Sequence, residues 1–469
     1  MDSHPVSLLP GATLELATFA AKLQFEDIPP EVVGRMRTSF LDSVGCCLFG
    51  ATLPWTQRVA AMVQEEGAKP VASIFGCGQK TSVSSAVLVN ATAGHAFELD
   101  DIHKESILHA GSIATPVVVA LAEQTRQRAG RTLVKAMTAG YEVGTRVGNA
   151  ATMGLFFRGF HPQGASGVFV AAASAASMLG LDALHTQHAL GIAGSQAGGL
   201  MAAQEGAMVK RFHSGRAAQS GVYSAYLAQK DFTGITDVLE AGYGGYLSTY
   251  SNTPNPSRLL EGLGSVWETG KVGYKPHACV TSIHSALDAF AALLSEHQLT
   301  PDSVAKLEVG VSAMTFTHCA WEYKAQGVTA AQMNLYYGLA VVGFDGMAFV
   351  AQYQEQRLAD PLIMDFIQRI DARIDPEIDA MGPAYRHAAR VKITTTDGRR
   401  FEHEILNRRG SPENPLSHED VVYKYRHVVQ SCLSAKQIDR SIALIDQLDK
   451  LEDTTELFEL LAAGRALST

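Results

Sequence analysis

The chain has no C-x-x-C pair, no basic tract and no uncharged apolar stretch of membrane-spanning length, and each absence removes a class of protein. Its six cysteines, Cys46, Cys47, Cys77, Cys279, Cys319 and Cys432, are scattered with one adjacent pair. That pattern excludes a disulfide framework and a structural zinc site, and it matches no recognised iron–sulfur spacing. An aconitase-type dehydratase built on a cysteine-held cluster is set aside on this ground. No window reaches the roughly 18 apolar residues that a membrane helix needs. The most apolar run, Gly167 to Leu181, is an Ala/Ser-rich helix suited to close packing in a bundle. Met1 to Pro10 holds an Asp, a His and two prolines instead of a charged n-region and an apolar h-region. No signal peptide is therefore expected, and the expected location is the cytoplasm or an organelle matrix. No fixed-period repeat or low-complexity tract is present.

What is present is the composition of an ordinary globular protein. The 469 residues are 46% hydrophobic and 18% charged, with a mean hydropathy of +0.04, enough for two cores. With 38 basic against 47 acidic residues the formal net charge is −9, which does not favour nucleic acid or an acidic membrane as partner. Small molecules are the expected partners.

From Ala12 to about Ser265 the apolar periodicity predicts helices over 14–23, 31–49, 55–66, 82–97, 112–128, 132–151, 166–178, 184–191 and 211–229. Pro29-Pro30-Glu31 opens one of them, with proline early and a carboxylate in the first turn. After Gly264 the pattern changes. Residues 306–312 alternate as a strand, and 390–396 with 400–405 read as a hairpin across Asp397-Gly398. Helices are predicted over 281–294, 330–342 and 360–369, and the tail from His418 to Leu467 returns to helix. The expected fold is mostly α: a large all-helical domain, discontinuous in sequence, with an inserted smaller α+β lid domain. The expected boundaries are 1–267, 268–408 and 409–469.

Four constellations carry the chemistry. The first, from His95 to His109, packs His95, His103 and His109 among Glu98, Asp100, Asp101 and Glu105. Carboxylate–imidazole pairs are the usual means of tuning a histidine as an acid or base, although capping and loop solvation explain the same residues equally well. The second is the glycine-rich Gly159–Gly167 stretch containing His161, whose following helix start near Ser166 would offer N–H groups to an anion. In the third, Lys210 and Arg211 precede a helix and suit a carboxylate. In the fourth, Lys275 and His277 lie at the expected domain junction, with His284 in the next helix. A His318-Cys319-Ala320-Trp321 knot in the smaller part reads first as packing.

In this order the four segments resemble the MmgE/PrpD family, which includes 2-methylcitrate dehydratases, cis-aconitate decarboxylases and iminodisuccinate epimerase. The resemblance spans nearly the whole chain. It implies a homodimer, an active site in the cleft between the helical domain and the lid, and no metal or organic cofactor. Carried over by position, it implies His109, His161, Lys210 and Asp101 as catalytic residues, with Lys275, Glu98, His277 and Ser166 binding a small di- or tricarboxylate. The lysines would clamp carboxylates while the histidines move a proton at the neighbouring carbon.

Two departures bear on the reaction. Ile102 stands where many dehydratase and animal decarboxylase members have Thr, and the His318–Trp321 knot stands where some members have a cleft tyrosine. The knot and Glu98–Asp101 also resemble fungal decarboxylases. Epimerisation of an iminodisuccinate-type substrate is the narrow first choice, because it needs only two acid–base groups and a carboxylate clamp; decarboxylation and dehydration are the alternatives within the family. A metal hydrolase using His95, Asp100, Asp101, His103 and His109 lacks H-E-x-x-H or an equivalent spacing. A non-catalytic binding or scaffold protein on the same fold is the reading from another class.

Overall fold

The structure, a computed structural model, describes residues 8–463. Its helical body centres on Gly167–Leu179, which packs against Gly111–Thr125, Gly130–Ala151 and Val209–Ala228. Every residue from Gly167 to Met178 is buried. Small side chains make this possible by letting backbones approach: a Cβ at Gly144 would lie 2.1 Å from Val170 Cγ2, and one at Gly221 would lie 2.3 Å from Ala171 Cβ. The alanine-rich sequence is thus the condition for stacking three helices around a fourth. Among the described residues, no helix is long and apolar enough to cross a membrane.

The smaller part carries a four-stranded sheet in the order Ile370–Ile374, Val304–Val311, Ala389–Thr395, Arg400–Ile405. The first pair is parallel and the other two are antiparallel. Ala389–Thr395 buries alternate residues, the pattern of a strand with one face on a core; helix His284–Glu296 packs on it and on Arg400–Ile405. The Asp397-Gly398 turn forms as the sequence predicts, with Gly398 at φ 87°. The mostly α architecture with a smaller α+β part is the one the sequence predicts.

Several elements differ from expectation in physical detail. The helix expected over 330–342 is two helices, Val328–Gln332 and Leu335–Asp345, because Asn334 turns out of helical conformation and accepts the Tyr337 N–H at 3.0 Å as an N-cap. The helix expected to reach Phe97 ends at Gly94. Strands Ala72–Ile74, Gln79–Thr81, Ile102–His103, Val272–Gly273 and Ile370–Ile374 were not anticipated; at two to five residues they are too short for alternation to register. One pair matters for the site: Ile102 pairs with Gly273 and His103 with Val272, tying the acidic segment to the chain just before Lys275.

The C-terminal helices pack back on the start of the chain. His418–Val429 lies against Pro30–Ala51, and the buried Lys424 ammonium donates to Asp42 Oδ1 at 2.6 Å and to the Leu99 carbonyl. One side chain therefore fixes the tail, an N-terminal helix and the acidic segment together. Lys424→Met is expected to destabilise the protein by about 3–5 kcal/mol, since it leaves Asp42 charged and buried without its partner; urea unfolding of the two proteins measures this.

Candidate active site

The acidic segment begins where helix Val83–Gly94 stops. Glu98 sits in the left-handed region at φ 55°, a conformation unfavourable for a side chain with a Cβ and held only where the surroundings impose it. Here three cations impose it. Glu98 Oε1 accepts from the Lys210 ammonium and from Arg211 Nη1 at 2.5 Å, and Oε2 accepts from Lys275 Nζ at 3.1 Å. Lys210 and Arg211 come from the first turn of Val209–Ala228, whereas Lys275 follows strand Val272–Gly273. Gln332 braces the same corner, its Nε2 donating to the Phe97 and Ala278 carbonyls at 2.8 Å each while Oε1 accepts from Arg211 at 3.2 Å.

The electrostatics follow from this imbalance. Burial works to raise the Glu98 pKa, but Lys210, Lys275 and Arg211 hold it well below the usual range. One carboxylate cannot serve three cations fully. Burial, with the charges of Arg211 and Lys275, brings Lys210 down to about 8 against the pull of Glu98.

Beside the cations lies a histidine cluster organised by the wholly buried Asp100. Asp100 Oδ2 is 2.8 Å from His95 Nδ1, and Oδ1 is 3.2 Å from His109 Nδ1. The His95 ring centroid is 4.8 Å from that of His109 and 5.7 Å from that of His161. His161 Nδ1 meets His213 Nδ1 at 2.9 Å, so one of them must donate and the other accept. Burial and the adjoining His95 and Lys210 hold His161 well below its usual pKa, and burial lowers His95 to about 4 in spite of Asp100. Both rings are neutral at physiological pH. Gln163 fixes the His109 backbone by accepting from its N–H at 2.9 Å and donating to its carbonyl at 3.1 Å.

These groups face a cavity whose lining includes Glu98, His109, His161, Lys210, Lys275 and His318. Five of the eight residues singled out from the sequence thus meet on one cavity. Asp101, His277 and Ser166 do not line it. Asp101 points the other way from Asp100, accepting from Tyr141 Oη at 2.7 Å and the Gly111 N–H at 3.0 Å; burial and Asp42 push its pKa up to about 8. His277 is engaged by Asp288 at 2.9 Å. Ser166 Oγ bonds Tyr246 Oη at 2.8 Å, and its N–H already donates to the Pro162 carbonyl at 2.7 Å. The helix end at Ser166 is closed to an anion because the short helix Pro162–Ala165 runs into it.

Sequence reasoning set aside His318 as packing and did not use Asp100 as a site residue, although both belong here. His318 lines the cavity with its Nε2 2.8 Å from Gln204 Oε1. Arg386 and His387, also on the wall, were missed; their signal was a basic pair immediately before an alternating strand. Donor atoms of His95, Asp100 and His109 lie within 4.8 Å of one another, a spacing a divalent ion could bridge. In the structure both imidazoles turn Nδ1 to Asp100, His95 in a hydrogen bond at 2.8 Å and His109 in an ion-pair contact at 3.2 Å.

The model of the MmgE/PrpD N-terminal domain matches residues 14–258, and that of the MmgE/PrpD C-terminal domain matches residues 277–450. The chain belongs to the MmgE/PrpD family. Over 96% of both chains it is 32% identical to a cis-aconitate decarboxylase of Aspergillus terreus. It is 29% identical to a cis-aconitate decarboxylase-like protein of Aspergillus oryzae over 98% of both. The human cis-aconitate decarboxylase is 25% identical, with 97% of this chain and 95% of that protein covered. Three of the four constellations that carried the family resemblance fall within the N-terminal match; of the fourth, His277 and His284 fall within the C-terminal match and Lys275 lies just before it.

Glu98→Gln removes the carboxylate charge paired with three buried cations while keeping the side-chain shape. The expected loss of stability is about 3–5 kcal/mol. Added citrate should restore a large part by supplying the missing negative charge from the cavity, as urea titrations with and without the anion will measure.

Proposed function

We propose that this protein is a cofactor-independent decarboxylase of a cis-aconitate-type tricarboxylate. The observation that carries the reading is the cavity wall on which Lys210 and Lys275 adjoin His109 and His161, in a chain matching cis-aconitate decarboxylases over nearly its whole length. The lysines hold substrate carboxylates. As the bond to the methylene carboxylate breaks, carbon dioxide leaves and the electron pair forms a new double bond to the central carbon. The old double bond takes one proton at its other end, giving a dicarboxylate. Negative charge spreads over the carbon skeleton toward the remaining carboxylates in the transition state, where fixed, buried ammonium groups stabilise it most. His109, tied to Asp100, is our choice of proton donor. Neutral His161 then orients the alkene end or exchanges the proton with His213.

Asp101 receives a positioning role in this scheme. Its two hydrogen bonds anchor the loop before Gly111, at the start of the helix that follows His109. Epimerisation, the first choice on sequence grounds, would use the same two histidines on opposite faces of one carbon. Proton NMR of the protein incubated with cis-aconitate in deuterated water separates the two reactions. The expected product is itaconate with one deuterium in its allylic methylene. No turnover of cis-aconitate, together with inversion and deuterium uptake in a single stereoisomer of iminodisuccinate, would overturn the proposal.

The acid–base behaviour of Lys210 gives a second test. Lys210 must be cationic to clamp a carboxylate, and with a pKa of about 8 it is charged below that pH and neutral above it. kcat/KM should therefore be sustained up to about pH 8 and fall as pH rises further. In Lys210→Arg, whose guanidinium keeps its charge, the alkaline decline should vanish even though the rate is lower; steady-state kinetics from pH 6 to 9.5 measure both.

A further inference from the structure

On the cavity wall, Lys104, Arg386 and His387 form a basic group to which the proposed decarboxylation assigns no role. Arg386 is 8% exposed and firmly held. Its carbonyl accepts from Ser312 Oγ at 2.7 Å and Thr315 Oγ1 at 2.8 Å, and its Nη2 donates to the Lys104 carbonyl at 2.5 Å. Its Nε nevertheless has no hydrogen-bond partner among the described residues, and neither has Nδ1 of the equally buried His387. No carboxylate forms an ion pair with Arg386 among the described residues. The buried Arg408 also leaves Nε and Nη2 without hydrogen-bond partners among the described residues.

Buried guanidinium and imidazole nitrogens are normally satisfied, and charged ones are normally neutralised. A guanidinium that is firmly held and has no carboxylate partner among the described residues, beside an imidazole with an unpartnered nitrogen on the same cavity wall, fits an anion. The charge balance points the same way. Lys210, Arg211 and Lys275 against Glu98 leave two positive charges uncompensated, enough for two carboxylates of a trianion. Arg386 supplies the third.

We propose that Arg386, assisted by His387, is a second anion subsite that takes the substrate carboxylate not held by Lys210 and Lys275, so that the cavity selects tricarboxylates over dicarboxylates. This rests on the decarboxylase reading for the substrate's class, and it adds the residues that count its carboxylates. Burial and the charges of Arg386 and Arg408 keep His387 neutral, so it contributes a hydrogen bond and Arg386 the charge.

Calorimetric titration of the full-length protein with tricarballylate, an unreactive tricarboxylate, and with glutarate, which lacks its central carboxylate, tests this. The wild type should bind tricarballylate more tightly. Arg386→Gln should weaken tricarballylate binding by roughly tenfold to a hundredfold, the effect of one charge-assisted hydrogen bond, and glutarate binding by less than twofold; Arg386→Lys should recover part of the loss. Should Arg386→Gln not fold, His387→Phe makes the same comparison with a selective loss of roughly threefold to tenfold. Equal weakening of both ligands, unchanged tricarballylate binding, or a wild type without preference would overturn the subsite. Turnover of cis-aconitate by the wild type is measured in parallel. A wild type that is inactive but shows the selective loss refutes the reaction and keeps the subsite, whereas an active one with a non-selective loss refutes the subsite alone.

Discussion

A single carboxylate, Glu98, binds three cations that the sequence delivers from two distant stretches, and the site depends on this contact. Two unit charges 4 Å apart in a partly shielded interior attract by about 4 kcal/mol, while each buried ion costs several kcal/mol in lost hydration. Attraction to one carboxylate therefore sustains the cluster only if the geometry is tight. Tightness is reached by forcing Glu98 into a left-handed backbone conformation and by letting Gln332 tie the neighbouring carbonyls and Arg211 together. Because Lys275 belongs to the chain beyond strand Val272–Gly273, the same contact closes the helical body against the segment leading into the smaller part.

The histidines depend on that cluster in turn. Burial, reinforced by His95 and Lys210 beside it, holds His161 in the neutral form, and burial does the same for His95 in spite of Asp100; a neutral imidazole can donate at one nitrogen and accept at the other. Asp100 is the one carboxylate placed to break the symmetry, since it reaches both His95 and His109. A carboxylate–imidazole cluster and an excess of cations thus sit side by side. They are kept distinct because each has its own carboxylate.

How much of this was legible in the sequence varies with the kind of interaction. The long helices Gly130–Ala151 and Val209–Ala228 lie within a few residues of their expected limits, because apolar periodicity over many turns records which face is buried. The hairpin was legible because Asp397-Gly398 has turn chemistry with one main solution. The roles of Asp100 and Asp101 were not. Adjacent residues in an extended segment point to opposite sides, and nothing in Leu99-Asp100-Asp101-Ile102 says which side holds the histidines. The structure turns Asp100 to the imidazoles and Asp101 to Tyr141. Ser166 was misread for a related reason: a helix start offers N–H groups only if no turn precedes it, and Pro162–Ala165 supplies that turn. Arg386 and His387 reach the cavity through tertiary packing alone, from a position far along the chain, and local patterns do not encode such approaches.

Two buried ion clusters in this molecule use the same residue types for different ends. Asp42 and Lys424 balance one charge with one, with neither residue on the cavity wall, and their contact joins helix Pro30–Ala51 to helix His418–Val429. Around Glu98 the charges are three to one, and the excess opens onto a cavity. A balanced pair has nothing further to gain from an ion in solution, whereas an unbalanced one lowers its energy by admitting an anion. Lys210 responds first to its burial and then to this excess: burial, with the charges of Arg211 and Lys275, lowers its pKa to about 8 against the pull of Glu98. Imbalance beside an opening, more than the number of charged groups, is what separates the Glu98 cluster from the Asp42–Lys424 ion pair in this fold.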